Sequence, residues 1–332
     1  ADRDPALRRL AKPDLRHVAN LWLVCHPDLR DNARFRAARD CVVQALLRRE
    51  ALFHGEEPMA EMRRAAVSTH RLQNALRLAV QREEFVVHYQ PIVSLRDRTI
   101  SGFEALVRWK HPSRGLVGPV EFIPAAEETG LILPMGRLVL EQACRQMSAW
   151  RRSLPEAENV TISVNLSGLQ LSSPGLIDEI ERVLDDAGLD PVGLKLELTE
   201  STLIDEPELA VQMLDRLRER GVRIYIDDFG TGYASLSYLH RFQIDGIKID
   251  KSFVAAIAGP SAQTAIVASI VGLAHNLGVG VVAEGVEEES QAKVLRRLAC
   301  SEAQGYLFAR PVPAADAEKL ITTFNGPKDA PN

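Results

Sequence analysis

The spacing of apolar residues changes near residue 84. Before that point they recur every three to four positions. Ala6–Leu23 and Ala33–Leu52 read as helices, with a turn at His26-Pro27-Asp28 between them. Met62, Leu72, Leu76 and Val80 mark one face of a further helix over Met59–Arg82. His54-Gly55-Glu56-Glu57-Pro58 interrupts the pattern and reads as a linker. Beyond residue 84 the apolar runs are short. Phe85–Val93, Thr99–Arg108, Val160–Leu166, Leu194–Thr199, Val222–Asp227, Gly246–Asp250, Val279–Glu284 and Ala303–Phe308 are expected to be strands. Helical patterns fall between the later ones, at Ser173–Gly188, Pro207–Gly221, Ser261–Leu277 and Glu287–Leu298.

Alternating strand and helix requires a parallel sheet covered by helices. The first two strands are joined by Arg96-Asp97-Arg98, too short for a crossover helix, so that pair is antiparallel. The expected fold is therefore α/β: a TIM-type β/α barrel modified by one antiparallel strand and preceded by a mainly helical segment. The boundary falls between residues 1–60 and 61–332. An open doubly wound sheet is the alternative, but no GxGxxG follows the first strand and the polar residues are not gathered at one switch point.

Composition narrows the classes. The 332 residues are 46% hydrophobic and 26% charged, enough for a barrel of roughly 250 residues and a shorter leading segment. A net charge of -5 argues against a nucleic-acid coat, so no DNA partner is expected. Residues 1–75 carry 14 Lys+Arg against 10 Asp+Glu, which leaves the acidic excess to the barrel. Cys25, Cys41, Cys144 and Cys300 are scattered and form no CxxC, which fits free thiols in the cytoplasm. No apolar stretch reaches the ~20 residues of a membrane span, and the N-terminus lacks the order of a signal peptide. The first residue is Ala1 rather than Met, which fits a piece of a longer, even membrane-linked, protein.

Seven of the expected strands carry a metal- or phosphate-binding side chain at or near the end: Glu104, Asn165, Glu197, Asp227, Lys248, Glu284 and Gln304. A β/α barrel builds its active site at the C-terminal ends of its strands. Hard oxygens with one lysine suit divalent-metal phosphoester chemistry and not zinc-thiolate chemistry. Each residue also has a duller reading. Glu104 inside a strand needs a partner, which Arg108 would supply as a salt bridge. Lys248 has the same need, met by Asp245 or Asp250. Asn165 fits a turn or a helix cap, and Glu200, in the loop after its strand, fits surface charge. Asp227 and Asp228 are adjacent carboxylates that repel unless a cation joins them, and Gly230 and Gly232 let the following loop bend. Seven separate buried salt bridges at matching positions are a poor account of the whole set.

Together these residues resemble the EAL-domain family of bacterial cyclic di-GMP phosphodiesterases. The likeness covers about Leu72 to Thr323, roughly three-quarters of the chain. It rests on Tyr89-Gln90-Pro91, Glu104-Ala105-Leu106, Glu121-Phe122-Ile123-Pro124, Asn165-Leu166-Ser167, Glu197-Leu198-Thr199-Glu200, Asp227-Asp228-Phe229-Gly230-Thr231-Gly232, Lys248-Ile249-Asp250, Ala283-Glu284-Gly285-Val286-Glu287 and Gln304-Gly305-Tyr306. The resemblance implies a modified β/α barrel and metal-dependent hydrolysis of cyclic di-GMP to linear pGpG by a water activated between two Mg²⁺ or Mn²⁺ ions. It implies one ion on Glu104, Asn165, Glu197 and Asp227, and a second on Asp227, Asp228 and Glu284. Lys248 resembles the holder of the attacking water, Glu284 a general base, and Glu200 the anchor of the Asp228–Leu236 loop. Arg108 resembles a phosphate contact, and Gln90, Asp228, Glu287 and Gln304 resemble substrate contacts.

Family members usually act as homodimers through the EAL domain, behind a sensory or signalling domain, and some that have lost metal ligands serve only as cyclic di-GMP receptors. This chain keeps the ligand set, so turnover is expected ahead of a silent receptor. One departure is Ala234, where Ser is usual. No Gly-Gly-Asp-Glu-Phe stretch marks a cyclase.

Overall fold

The computed structural model describes residues 8–9, 22–23, 72–205, 207–231, 242–257 and 262–325. The expected helix over Ala33–Leu52, the linker at His54–Pro58, and Gly232, Tyr233 and Ala234 lie outside these residues. The chain forms two compact units, Ala1–Leu72 and Gln73–Asn332. In the first, Arg8–Arg9 pairs antiparallel with Trp22–Leu23. These four positions correct the helix expected over Ala6–Leu23. Pro13 lies between them, and a proline within a helix removes an amide and crowds the carbonyl four residues back.

A helix over 72–81 precedes the barrel, which the second unit builds. Its strands are β1 (Phe85–Ser94), β2 (Ile100–His111), β3 (Gly115–Val117), β4 (Thr161–Asn165), β5 (Leu194–Thr199), β6 (Arg223–Phe229), β7 (Gly246–Ile249), β8 (Gly280–Ala283) and β9 (Glu302–Gln304). Around the ring the order is β1-β9-β8-β7-β6-β5-β4-β2, and β1 pairs with β2 to close it. β1 runs antiparallel to both neighbours and the other seven ring strands are parallel. The expected hairpin is thus the reversed strand of the barrel. β3 forms a further hairpin on the outer end of β2, which is why β2 runs on to His111. β9 is shorter than expected. After Gln304 the backbone leaves the sheet and bonds Val286, which donates to the Gln304 carbonyl and accepts from Leu307.

The helices are α1 (Ile123–Glu128), α2 (Ile132–Ser153), α3 (Gly168–Leu171), α4 (Leu176–Ala187), α5 (Glu200–Asp205), α6 (Pro207–Glu219), α7 (Lys251–Val254), α8 (Ala262–Leu277), α9 (Glu289–Arg297) and α10 (Ala314–Asn325). α4, α6, α8 and α9 lie within the four expected runs. The long α2 was not expected. It buries Val139, Leu140, Ala143, Cys144, Met147 and Trp150 against the sheet. Trp150 meets Tyr89 edge-on at 4.9 Å and Phe103 at 5.2 Å between ring centroids, a geometry aromatic pairs favour. α10 closes the fold: the Asn325 side chain accepts from the Ile100 amide at 2.7 Å and donates to the Ile100 carbonyl at 2.9 Å. Among the described residues no helix is long and apolar enough to cross a membrane.

The main apolar core lies between the strands and the helices. Inside the ring, Ile92, Tyr225 and Val282 form a small separate cluster. Barrel interiors are usually packed with branched apolar side chains. Here most of that space goes to polar and charged groups, and it determines the site.

Candidate functional site

Side chains alternate across a strand, so every second residue of each ring strand faces inward. Apolar neighbours such as Leu196 and Leu198, or Ile247 and Ile249, anchor the strands in the outer core. The intervening residues Glu104, Glu197, Asp227 and Lys248 are turned into the barrel and are themselves buried. Lys248 sits at the centre, with no exposure. Its ammonium lies 2.6 Å from Glu197 Oε2, 2.6 Å from Glu284 Oε1, 3.2 Å from Asp227 Oδ1 and 3.4 Å from Glu104 Oε2.

This geometry corrects the duller readings of Glu104 and Lys248. Glu104 does not pair with Arg108, and Lys248 does not pair with Asp245 or Asp250. Asp245 is taken by Arg218 at 3.2 Å, and Asp250 caps α7 by accepting from the Ser252 amide at 2.9 Å. The Arg108 guanidinium is half-buried and donates to its neighbour's carbonyl, that of Val107, at 2.8 Å.

Amides complete the ring. Asn165 Nδ2 donates to Glu104 Oε1 at 2.7 Å, and Gln304 Nε2 donates to Glu104 Oε2 at 2.6 Å and to Gln90 Oε1 at 3.1 Å. Gln90 and Glu104 face each other across β1 and β2. Gln90, Glu104, Asp227, Glu284, Glu287 and Gln304 line a cavity of about 440 Å³ at the barrel mouth, with Lys251 and Tyr306 on its rim. Asn165 and Glu197 border an adjoining cavity of about 320 Å³ whose walls are mostly apolar. Lys251 and Tyr306 were not singled out as candidates. Tyr306 lies 50% exposed, with the Arg310 guanidinium 4.0 Å from its ring centroid.

Charge in this ring is unbalanced: four carboxylates surround one ammonium. Burial opposes the charge on Lys248, but its four carboxylate neighbours outweigh that and hold the ammonium well above its ordinary range. Burial pushes Glu197 up to about 8, with Glu104 and Asp227 adding to the rise against the pull of Lys248. Glu284 is likewise pushed up to about 8, chiefly by burial and then by Asp227 and Glu104. Burial also works against ionised Glu104, but Lys248, Gln304 and Asn165 together bring it below the usual carboxylate range. Asp228 is raised by burial and by Asp227 and Asp250.

A divalent cation fits this donor set. Asp227, Asp228 and Glu284 each offer an oxygen, and those oxygens lie within 4.8 Å of one another. Glu197 Oε1 and Gln304 Oε1 are buried acceptors without a hydrogen-bond partner. Buried acceptors without a partner beside excess negative charge fit ligands for a hard cation.

The loop after β6 is tied to the ring from the side. Glu200 opens α5 rather than lying in a loop, and its Oε2 accepts from the Gly230 amide at 3.1 Å. Gly230 has φ +98°, and a Cβ there would sit 3.0 Å from Phe253, so the turn requires glycine. Asp228 also has a positive φ, 51°, an uncommon conformation that keeps its carboxylate near that of Asp227.

The EAL domain profile matches residues 73–311. The chain is 48% identical over 256 residues to an uncharacterized signaling protein of Caulobacter vibrioides, covering 77% of this chain and 31% of that one. It is 44% identical over 252 residues to the bifunctional diguanylate cyclase/cyclic di-GMP phosphodiesterase MucR of Pseudomonas aeruginosa, covering 76% of this chain and 36% of that one. The chain therefore spans about a third of the length of these curated relatives. Among solved structures, the PaMucR phosphodiesterase in its c-di-GMP complex matches with a TM-score of 0.71 at 44% identity, over 74% of this chain and 99% of that one.

Proposed function

This chain belongs to the EAL-domain family, and on that premise we propose that it hydrolyses cyclic di-GMP to the linear dinucleotide pGpG with two divalent cations, Mg²⁺ or Mn²⁺. The observation that carries the reading is the convergence of Glu104, Glu197, Asp227 and Glu284 on one buried ammonium at the barrel mouth. Its excess charge and its unpartnered Glu197 Oε1 support cation binding. MucR, whose name includes the same phosphodiesterase activity, supports the substrate.

Glu104, Asn165, Glu197 and Asp227 would hold one cation, and Asp227, Asp228 and Glu284 the other. Bound there, such cations would supply neutralisation of the phosphodiester charge and a more acidic water. The chain's own groups do the rest. Lys248 orients the attacking water from beneath and holds Glu197 and Glu284 in place. Glu284 bonds Lys248 through Oε1, which leaves Oε2 to accept the water's proton. Gln90, Gln304, Asp228 and Glu287 contact the dinucleotide, and Arg108 meets a phosphate from the rim. Glu200, through the Gly230 amide, holds the loop that carries Asp228.

The same reading gives a cytoplasmic homodimer joined through the EAL domain and driven by an upstream sensory or signalling domain. The much greater length of its signalling relatives supports that last point. Competition tests the substrate: unlabelled cyclic di-GMP should suppress turnover of labelled cyclic di-GMP, while cyclic di-AMP at equal concentration should not. Equal suppression by both would contradict the assignment of the base.

A further inference from the structure

A second buried lysine lies beneath the ring. Lys195 precedes Glu197 by two residues on β5, so it shares the same inward face. It is 3% exposed, and its ammonium lies 3.7 Å from Glu302 Oε2 on β9. In the ring order β5 and β9 are four places apart among eight strands, so this pair spans the barrel. The Lys195 ammonium also sits over the Tyr225 ring, 4.7 Å from its centroid, in the geometry of a cation–π contact.

The ring of Tyr225 has a built seat. A Cβ on Gly246 would come within 2.2 Å of its Cε1, and one on Gly280 within 3.4 Å of its hydroxyl. The aromatic plate therefore lies against two strands that leave room for it, with Ile92 and Val282 as its apolar neighbours. A lysine inside a barrel is costly to bury, and an aromatic face plus a carboxylate offset that cost only if all three keep their places.

Each member of this trio lies two residues before a member of the upper ring on the same strand. Lys195 precedes Glu197, Tyr225 precedes Asp227 and Glu302 precedes Gln304. We propose that Lys195, Tyr225 and Glu302 form a positioning layer that ties β5, β6 and β9 together and so sets the spacing of Glu197, Asp227 and Gln304 for the cations above. The inference rests on the metal-site reading of the upper ring. It goes beyond that reading in assigning the spacing to three residues that touch neither cation nor substrate. A floor that only fills space would need shape alone. This one is built from a charge pair across the barrel and a cation–π contact between the neighbouring strands β5 and β6, so its directionality passes to the strands.

The test measures Mn²⁺ binding to the full chain by calorimetry and by the electron paramagnetic resonance spectrum of the bound ion. The variants are K195R, which keeps the charge, and the double variant K195M/E302L, which leaves no unpaired buried charge and so should fold. K195M/E302L is expected to melt close to the wild type, bind Mn²⁺ about tenfold more weakly, and lose kcat with little change in KM for cyclic di-GMP. K195R is expected to retain affinity within about threefold of the wild type. Wild-type affinity and spectrum in K195M/E302L would overturn the proposal, as would a loss in K195R equal to that of the double variant. Failure of the wild type itself to bind Mn²⁺ would instead remove the metal-site reading, and this inference with it.

Discussion

Lys248 Nζ lies 2.6 Å from Glu197 Oε2, and both side chains are almost completely shielded from water. A buried ion pair is worth little net stability, but removing one partner strands the other. Here Lys248 serves four carboxylates, so Lys248→Met should destabilise the cation-free protein by about 3–5 kcal/mol. Thermal unfolding in chelator checks this. A melting temperature equal to the wild type would mean the carboxylates do not depend on the ammonium.

Stability should also depend on pH in a direction set by Glu197 and Glu284. Both are raised to about 8 from an ordinary 4.5. The folded state therefore binds these protons more tightly than the unfolded chain does. Their contribution is complete below 4.5 and is lost as pH climbs through 8. Glu104 is shifted down and Lys248 up, so neither titrates in that window. In chelator the melting temperature should fall between about pH 6 and about pH 8.5, and Mg²⁺ or Mn²⁺ should restore more of it at the higher pH. A flat profile in chelator, or equal rescue at both values, would contradict the charge imbalance.

Glu200→Ala removes the acceptor of the Gly230 amide. Its cost to global stability should be about 1–3 kcal/mol, whereas kcat should fall at least about tenfold because the turn carrying Asp228 loses its tether. Unchanged kinetics with lowered stability would make Glu200 a structural residue alone.

Asn325 acts as a short stretch of strand, satisfying both backbone groups of Ile100 and donating to the Glu156 carbonyl at 3.2 Å. Asn325→Ala should cost about 1–3 kcal/mol and raise amide exchange at Ile100 without altering the pattern of products. Unaltered exchange at Ile100 would show that α10 is held by its apolar face instead.

The barrel was legible because its outer core repeats: apolar residues on one face of each strand left every chemical side chain on the other. Leu196-Glu197-Leu198 and Ile247-Lys248-Ile249 are the clearest cases. The partners were harder to read. From sequence Lys248 had Asp245 and Asp250 as neighbours, yet strand alternation and barrel closure bring it Glu104 from across the ring, 144 positions away. α2 was missed because Pro134 stands in its first turn and Pro112, Pro119 and Pro124 precede it. Lys195 was also missed, although Leu194-Lys195-Leu196 carries the same alternation that marked Lys248. The short strands Arg8–Arg9 and Trp22–Leu23 were hidden by apolar spacing that looked helical, against the evidence of Pro13.

The most direct test is turnover of cyclic di-GMP with Mg²⁺ or Mn²⁺, products separated by chromatography, with Glu104→Ala run beside the wild type. The account predicts pGpG from the wild type, none in chelator, and at least about a thousandfold loss in the variant, consistent with removing a ligand of the catalytic cation. Cyclic di-GMP bound but left intact by the wild type, or cleaved by Glu104→Ala at a near-normal rate, would contradict it.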